Sequence, residues 1–319
     1  MTPDPFTVAV VQRPPVLLDR DSTIKNAVEH LHEAADAGAR LAVFPETYIP
    51  GYPVWVWKLR PGADYDLADE IHHQLIDNSV DLVADDLRPL REAAAERGLV
   101  VVCGVHERDG RHSRATIYNS LVTIGADGAI LNVHRKLVPT NPERMVWGYG
   151  DARGLQVVDT PVGRLGSLIC WENYMPLARY TLYAQGVEVY VASTWDEGET
   201  WIASMRHIAA EGRCWVIGSG CSMHTSDVPA GFPQRDQVFQ DPDAWLNGGD
   251  SVVVAPGGTI VAGPLHEEHG LLLAEIDPHR SAGEHRTLDV AGHYGRSDIF
   301  RLTVDRAPQE PVHYGPVSP

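Results

Sequence analysis

The chain has 319 residues, 44% of them hydrophobic, which is enough for a sizeable core in one large domain or two small ones. It carries 43 acidic against 26 basic residues, a net charge of −17, and a surface this acidic repels phosphate backbones and anionic lipid, so neither nucleic acid nor membrane is an expected partner. Four cysteines (Cys103, Cys170, Cys214, Cys221) are too few for a disulfide scaffold, no apolar run approaches the ~20 residues of a membrane span, and the opening residues read as a strand rather than a leader; a reducing cytoplasm is the expected compartment.

Thr7-Val-Ala-Val-Val11 predicts a buried strand. Ile24, Ala27, Val28, Leu31 and Ala35 recur at helical spacing, with Asp21 or Ser22 as N-cap and Gly38 near the stop. Leu41-Ala-Val-Phe44 is a second strand, so the chain opens on a βαβ unit. Residues 52–80 read as irregular and aromatic-rich. A helix over about 85–97 stops at Gly98, and Leu99–Val105 is a further β run. Ile117–Ile124 and Ala129–Arg135 flank Gly125-Ala-Asp-Gly128, a hairpin signal.

After a loop over 139–154, Leu155–Val158 and Arg164–Ile169 predict strands about the turn Pro161-Val-Gly163. A helix over about 176–185 ends at Gly186, Val187–Ala192 is a strand, and a helix over about 200–213 leads into Cys214–Gly218. Residues 221–249 read as a long polar loop, followed by short strands at 251–255, 259–262 and 270–276. Strands and helices alternate with no linker between halves, which predicts one α/β domain over residues 1–303. A proline-rich tail, 304–319, is expected to be extended or disordered.

The most informative stretch is Gly166-Ser-Leu-Ile-Cys-Trp-Glu-Asn-Tyr-Met-Pro176, where an apolar strand runs up to Cys170 and a turn leads to a helix opened by Pro176. Backbone N–H groups and a helix start near a thiol favour the thiolate, so Cys170 is a candidate nucleophile, against the plainer reading of a small core residue. Glu46 follows the strand 41–44 in a turn rich in proline, glycine and aromatics, a setting that suits a general base in a pocket mouth. Lys136 ends the β run of Asn132-Val-His-Arg-Lys-Leu-Val-Pro-Thr140 and offers a fixed ammonium for charge that develops in a transition state. Glu143, a few residues on, is placed to orient it. Each residue alone also reads as a solvated surface charge, but ends of strands in an α/β sheet converge on one crevice. A thiol, a base and a cation together suit attack on an electrophilic carbon with a covalent intermediate.

These three segments resemble, in order and separation, the catalytic motifs of the nitrilase superfamily, and Cys170-Trp-Glu-Asn173 resembles its nitrilase branch, where amidase-like members more often have Tyr-Asp after the cysteine. The likeness runs from about residue 6 to about 303, through Ala192-Ser-Thr-Trp-Asp196, Arg206-His-Ile-Ala-Ala-Glu211 and Gly292-His-Tyr294. It implies a four-layer α-β-β-α sandwich that pairs with a second copy into a homodimer or higher oligomer, with no metal and no organic cofactor. It implies Cys170 as nucleophile, Glu46 as base, Lys136 as the stabilising cation and Glu143 as an additional glutamate. Tyr52, Trp171 and Trp195 become candidate substrate-pocket walls, with core packing as the plainer reading of each. The implied reaction takes a small-molecule nitrile to its carboxylic acid and ammonia. An amidase or carbamoylase with the same triad, a cyanide-hydrolysing enzyme and a silent binding scaffold stay open as alternatives.

Other signals carry less. His266-Glu-Glu-His269 has its histidines three apart and is not the four-spaced zinc motif. His207 reads as structural, while His134, two residues before Lys136, shares its strand face.

Overall fold

A strand that is apolar on both faces needs a covering layer on each side. Most strands of this chain are of that kind, and the computed structural model, which describes residues 3–308 together with 312 and 315, places them between helices. The strands are Phe6–Gln12 (β1), Ala39–Val43 (β2), Val100–Arg108 (β3), Ile117–Ile124 (β4), Ile130–Arg135 (β5), Val158–Thr160 (β6), Gly163–Ile169 (β7), Val189–Thr194 (β8), Trp215–Gly220 (β9), Ser222–His224 (β10), Trp245–Ala255 (β11), Thr259–His266 (β12) and Gly270–Ile276 (β13). One sheet has the order β13-β1-β2-β3-β4-β5; the other has β10-β11-β9-β8-β7-β6, with β12 paired to β11. Helices Arg20–Asp36 (α1), Tyr65–Asp77 (α2), Arg88–Arg97 (α3), Pro176–Tyr183 (α4) and Glu199–Gly212 (α5) carry most of the helical residues.

The two-residue period of the strands sorts side chains into layers. Val8, Val10, Leu41, Val43, Val100 and Val102 meet Leu165, Ile169, Val189, Val191 and Ile217 between the sheets. Ala9, Val11, Ala42 and Val101, from the same strands, face Ile24, Ala27 and Leu31 of α1 and Leu90 and Ala94 of α3. On the far side, Leu168, Tyr190, Ala192 and Val216 face Leu182 of α4 and Trp201, Met205 and Ile208 of α5. The result is the expected α-β-β-α sandwich. Each fully buried Leu or Ile in these layers contributes roughly 1.5–3 kcal/mol.

Several boundaries differ from the sequence reading, each for a local reason. The N-cap of α1 is Asp19, whose carboxylate accepts the Ser22 N–H at 2.9 Å. Residues 65–77, expected to be irregular, form α2: Leu67, Ile71 and Leu75 fall four apart on one buried stripe, and the rest of the helix is polar. The polar stretch 221–249 holds β10 and the start of β11, whose Asn247-Gly-Gly249 masks the strand pattern. Leu155–Val157 lies outside β6, and a short helix over His279–His285 was not expected. Residues 304–308 have no helix or strand; of the rest of the tail, 309–311, 313–314 and 316–319 lie outside the described residues.

Pairing direction brings the functional turns together. Strands β1, β2 and β3 are mutually parallel. Strand β4 runs antiparallel to β3, and β5 antiparallel to β4, so β5 points the same way as β2. In the other sheet β7, β8 and β9 are parallel. The ends of the two sheets are tied across the sandwich by Ser193 Oγ, which donates to the Phe44 carbonyl at 2.9 Å.

Candidate active site

Glu46 lies just past β2, on a turn that rides over β3. The turn comes so close that a Cβ on Gly104 would stand 2.2 Å from Pro45 O and 2.3 Å from Thr47 N. Only glycine leaves that room. The Glu46 carboxylate is fully buried. Its Oε1 accepts from Asn119 Nδ2 at 2.6 Å and Lys136 Nζ at 2.8 Å, and its Oε2 accepts the Trp195 backbone N–H at 2.7 Å. A base held by three donors from three strands or strand ends has one orientation.

Lys136 follows β5, with its backbone N–H on the Asn119 carbonyl at 2.8 Å. Its ammonium donates to Glu46 and to Glu143 Oε2, the latter at 2.7 Å. Glu143 sits on a one-turn 3₁₀ segment, Asn141–Met145, and its Oε2 also accepts the Thr140 N–H at 2.6 Å. The Tyr52 hydroxyl donates to Glu143 Oε1 at 2.7 Å and receives the Trp57 indole N–H at 3.0 Å. The Tyr52 ring stacks on Trp195, with centroids 4.3 Å apart and planes 7° from parallel. The Trp147 ring lies 5.5 Å from Lys136 Nζ.

Cys170 caps β7 and starts the 3₁₀ turn Cys170–Tyr174. Its φ of 50° is left-handed, a conformation that costs a non-glycine residue of order 1 kcal/mol and turns the side chain sharply off the strand. Asn173 Nδ2 holds the Cys170 carbonyl at 2.8 Å, and Tyr190 in turn donates to Asn173 Oδ1 at 2.7 Å.

The thiol's charge state corrects the sequence reading. Cys170 is 4% exposed. Burial pushes its pKa up, the Glu46 carboxylate pushes it further, and Lys136 and a hydrogen bond from Thr194 only partly oppose them. The resting group is therefore a neutral thiol. The helix start expected to favour thiolate lies six residues on, beyond the 3₁₀ turn. Burial also raises Glu46 above its ordinary value, with Lys136 opposing and Glu143 adding to the rise. For Lys136, burial works against the charge, but Glu46, then Cys170 and Glu143, outweigh it and hold the ammonium protonated. The site thus contains a neutral acid, a carboxylate of raised basicity and a permanent cation, which is what a coupled proton transfer and nucleophilic attack require.

The structure brings Glu46, Lys136, Glu143, Cys170, Tyr52 and Trp195 together. Trp171 is placed differently: it is 47% exposed, and its indole N–H donates to Asp196 Oδ2 at 3.0 Å. Cavities of about 400 Å³ between α4 and α5 and about 950 Å³ beside β3–β5 are lined by other residues. The sequence reading missed Asn119, Thr194 and Glu172. Asn119 leaves a signal, a polar residue amid the apolar run of β4; Glu172 leaves none beyond its place in Cys170-Trp-Glu-Asn173.

The carbon–nitrogen hydrolase family profile matches residues 7–283. The chain belongs to the carbon–nitrogen hydrolase family, in its nitrilase branch. It is 39% identical to an aliphatic nitrilase of Sinorhizobium fredii (strain HH103) over 315 residues, 96% of this chain and 98% of that one. It is 36% identical to a bifunctional nitrilase/nitrile hydratase of Lupinus angustifolius, over 96% of this chain and 87% of that one. The fold is similar to that of a carbon–nitrogen hydrolase from Helicobacter pylori G27, with a TM-score of 0.69 and 20% identity over 94% of this chain and 98% of that one.

In this carbon–nitrogen hydrolase, no cluster of three or more His, Cys, Asp or Glu among the described residues is arranged to hold a metal ion. His266 is engaged with Asp250 and His269 with Ser222. No helix among the described residues is long and apolar enough to cross a membrane.

Proposed function

We propose that the protein is a nitrilase that converts an organic nitrile to its carboxylic acid and ammonia through a covalent intermediate on Cys170. The observation that carries the roles is the Lys136 ammonium, fixed between two buried carboxylates at 2.8 and 2.7 Å and close enough to Cys170 for the two to act on each other's charge. The names of the relatives support the nitrile as substrate.

Glu46 takes the thiol proton as sulfur adds to the nitrile carbon, and that proton passes to the nitrile nitrogen to give a thioimidate. Lys136 stabilises the negative charge that develops on the nitrogen. Water then adds, giving up a proton to Glu46, which hands it to the nitrogen; the tetrahedral hydroxyl gives up its proton to the nitrogen as the C–N bond breaks, so the nitrogen leaves as ammonia and a thioester remains. A second water, activated by Glu46, releases the acid and restores the thiol. Each half-reaction uses the same base in both directions. If the tetrahedral intermediate expels sulfur instead of ammonia, the amide is released, and similarity to a bifunctional nitrilase/nitrile hydratase of Lupinus angustifolius favours some amide product.

The test is a peptide map of enzyme acid-quenched during nitrile turnover. The expected result is an adduct on Cys170, with ammonia and acid released in equal amounts. Turnover with no adduct on Cys170, and undiminished in Cys170→Ala, overturns the proposal.

The proposal includes at least a homodimer and a reducing, cytoplasmic compartment. Leu177, 65% exposed on α4, supports the first, whereas Leu182 and Tyr183 of the same helix turn inward. Four unpaired cysteines are compatible with the second. A fully active monomer in sedimentation at assay concentration removes the dimer.

A further inference from the structure

Glu172 lies two residues beyond the nucleophile and is 2% exposed. Its Oε1 accepts the backbone N–H of Leu137 at 2.6 Å, and its Oε2 accepts the backbone N–H of Ile169 at 2.7 Å. Leu137 is the residue after Lys136; Ile169 is the residue before Cys170. His134, fully buried, places Nε2 at 2.9 Å from Oε2 and 3.2 Å from Oε1. One carboxylate therefore joins the end of β5 in one sheet to the end of β7 in the other, at the two peptide groups that flank the cation and the nucleophile.

We infer that the Glu172–His134 pair is a positioning device that sets the separation of the Lys136 ammonium and the Cys170 sulfur, and so decides whether the tetrahedral intermediate loses ammonia or thiol. The inference rests on the nitrilase reading above. The chemistry of the pair fits the role. Burial alone would raise the Glu172 carboxyl, but His134 and the two backbone N–H groups bring it below its ordinary value, so it stays an acceptor on both oxygens. Both backbone donors need an acceptor, and no neutral side chain of the same shape offers two. The hydrogen bonds of His134 go to this carboxylate; its Nδ1 is buried with no hydrogen-bond partner among the described residues. The Glu172 oxygens are taken up by His134 and by the peptide groups beside Lys136 and Cys170, so the pair acts through backbone placement.

The geometry of a near-attack arrangement is demanding, and a displacement of about 1 Å can cost 10²-fold in rate. The experiment compares His134→Leu, His134→Gln and His134→Asn in kcat, KM, amide-to-acid ratio and circular dichroism, with Cys170→Ala alongside. Gln keeps an N–H within reach of Glu172; Leu has none, and Asn is too short. The expected result is that His134→Leu lowers kcat about tenfold or more with KM within about threefold, raises the amide fraction, and is substantially rescued by Gln but not by Asn. A folded His134→Leu with wild-type kcat and product ratio overturns the inference. If the Leu variant does not fold, equal kcat and product ratio in Gln and Asn overturn it. Turnover by Cys170→Ala removes the nitrilase reading itself, whereas an inactive Cys170→Ala beside an unaffected His134 series removes only the positioning device.

Discussion

Glu143 Oε2 accepts the Lys136 ammonium at 2.7 Å while its Oε1 accepts the Tyr52 hydroxyl, also at 2.7 Å. Glu143 therefore sits between the cation and an aromatic ring stacked on Trp195, whose own backbone N–H holds Glu46. Cation, base and aromatic wall form a closed circuit of contacts, so a change at one is felt by the others.

Removing either end of the Glu46–Lys136 contact should cost activity by orders of magnitude. Glu46→Gln and Lys136→Met are each expected to lower kcat/KM by about 10²–10⁴. Each also strands a buried partner charge, so thermal unfolding is measured in parallel. Wild-type rates in either folded variant reject the assigned roles.

Among the cysteines, only Cys170 should matter for chemistry. Cys170→Ala and Cys170→Ser are expected to lose on the order of 10³-fold or more in turnover while remaining folded. Cys103→Ala, Cys214→Ala and Cys221→Ala remove buried sulfurs from the core and should show lower unfolding midpoints with activity retained. Loss of activity in one of these three, without loss of fold, contradicts the assignment.

The acid limb of the pH profile should lie above 4.5. Glu46 works as the ionised base, and burial raises its pKa from that ordinary value. Below the raised value it is protonated and cannot take the thiol proton, so kcat/KM falls as pH falls through it. Alkylation of Cys170 by iodoacetamide should still be rising at about 8.5, because the resting thiol is neutral and its pKa is raised. An acid limb at or below 4.5, or alkylation that levels off by neutral pH, contradicts the electrostatics described for the pocket.

Gly104→Ala tests the seat of the base. Its Cβ has no room against Pro45 O and Thr47 N, so the Glu46 turn must move off β3. The expected cost is about 1–3 kcal/mol in stability together with a fall in kcat, read by denaturant unfolding and initial rates. An unchanged unfolding midpoint with unchanged kcat shows that the turn does not depend on this close approach.

One α/β domain was legible because apolar strand runs alternate with helices that carry clear stripes, as in Ile24, Ala27 and Leu31; the four-layer sandwich followed only from the family resemblance. Positions of Glu46, Lys136 and Cys170 at strand ends were also legible, since each follows or ends a β run before a turn. Helix α2 was less so: its stripe is only Leu67, Ile71 and Leu75, and it follows an aromatic stretch with Trp55 and Trp57 that carries no helical period. The charge state of Cys170 was not legible, because it depends on burial by the opposite sheet and on Glu46, 124 positions away in sequence. Glu172 was hidden for the same reason, as its donors come from two different sheets. Trp171 stands beside the nucleophile in sequence but reaches out to Asp196.

The most direct measurement is kcat/KM for a nitrile and its matching primary amide, with ammonia, acid and amide quantified, in wild type and in Cys170→Ala. The account predicts at least a tenfold preference for the nitrile, which needs about 1.4 kcal/mol of differential transition-state binding, and no turnover of either substrate by Cys170→Ala. A wild-type enzyme that prefers the amide, or a Cys170→Ala variant that still hydrolyses the nitrile, contradicts it.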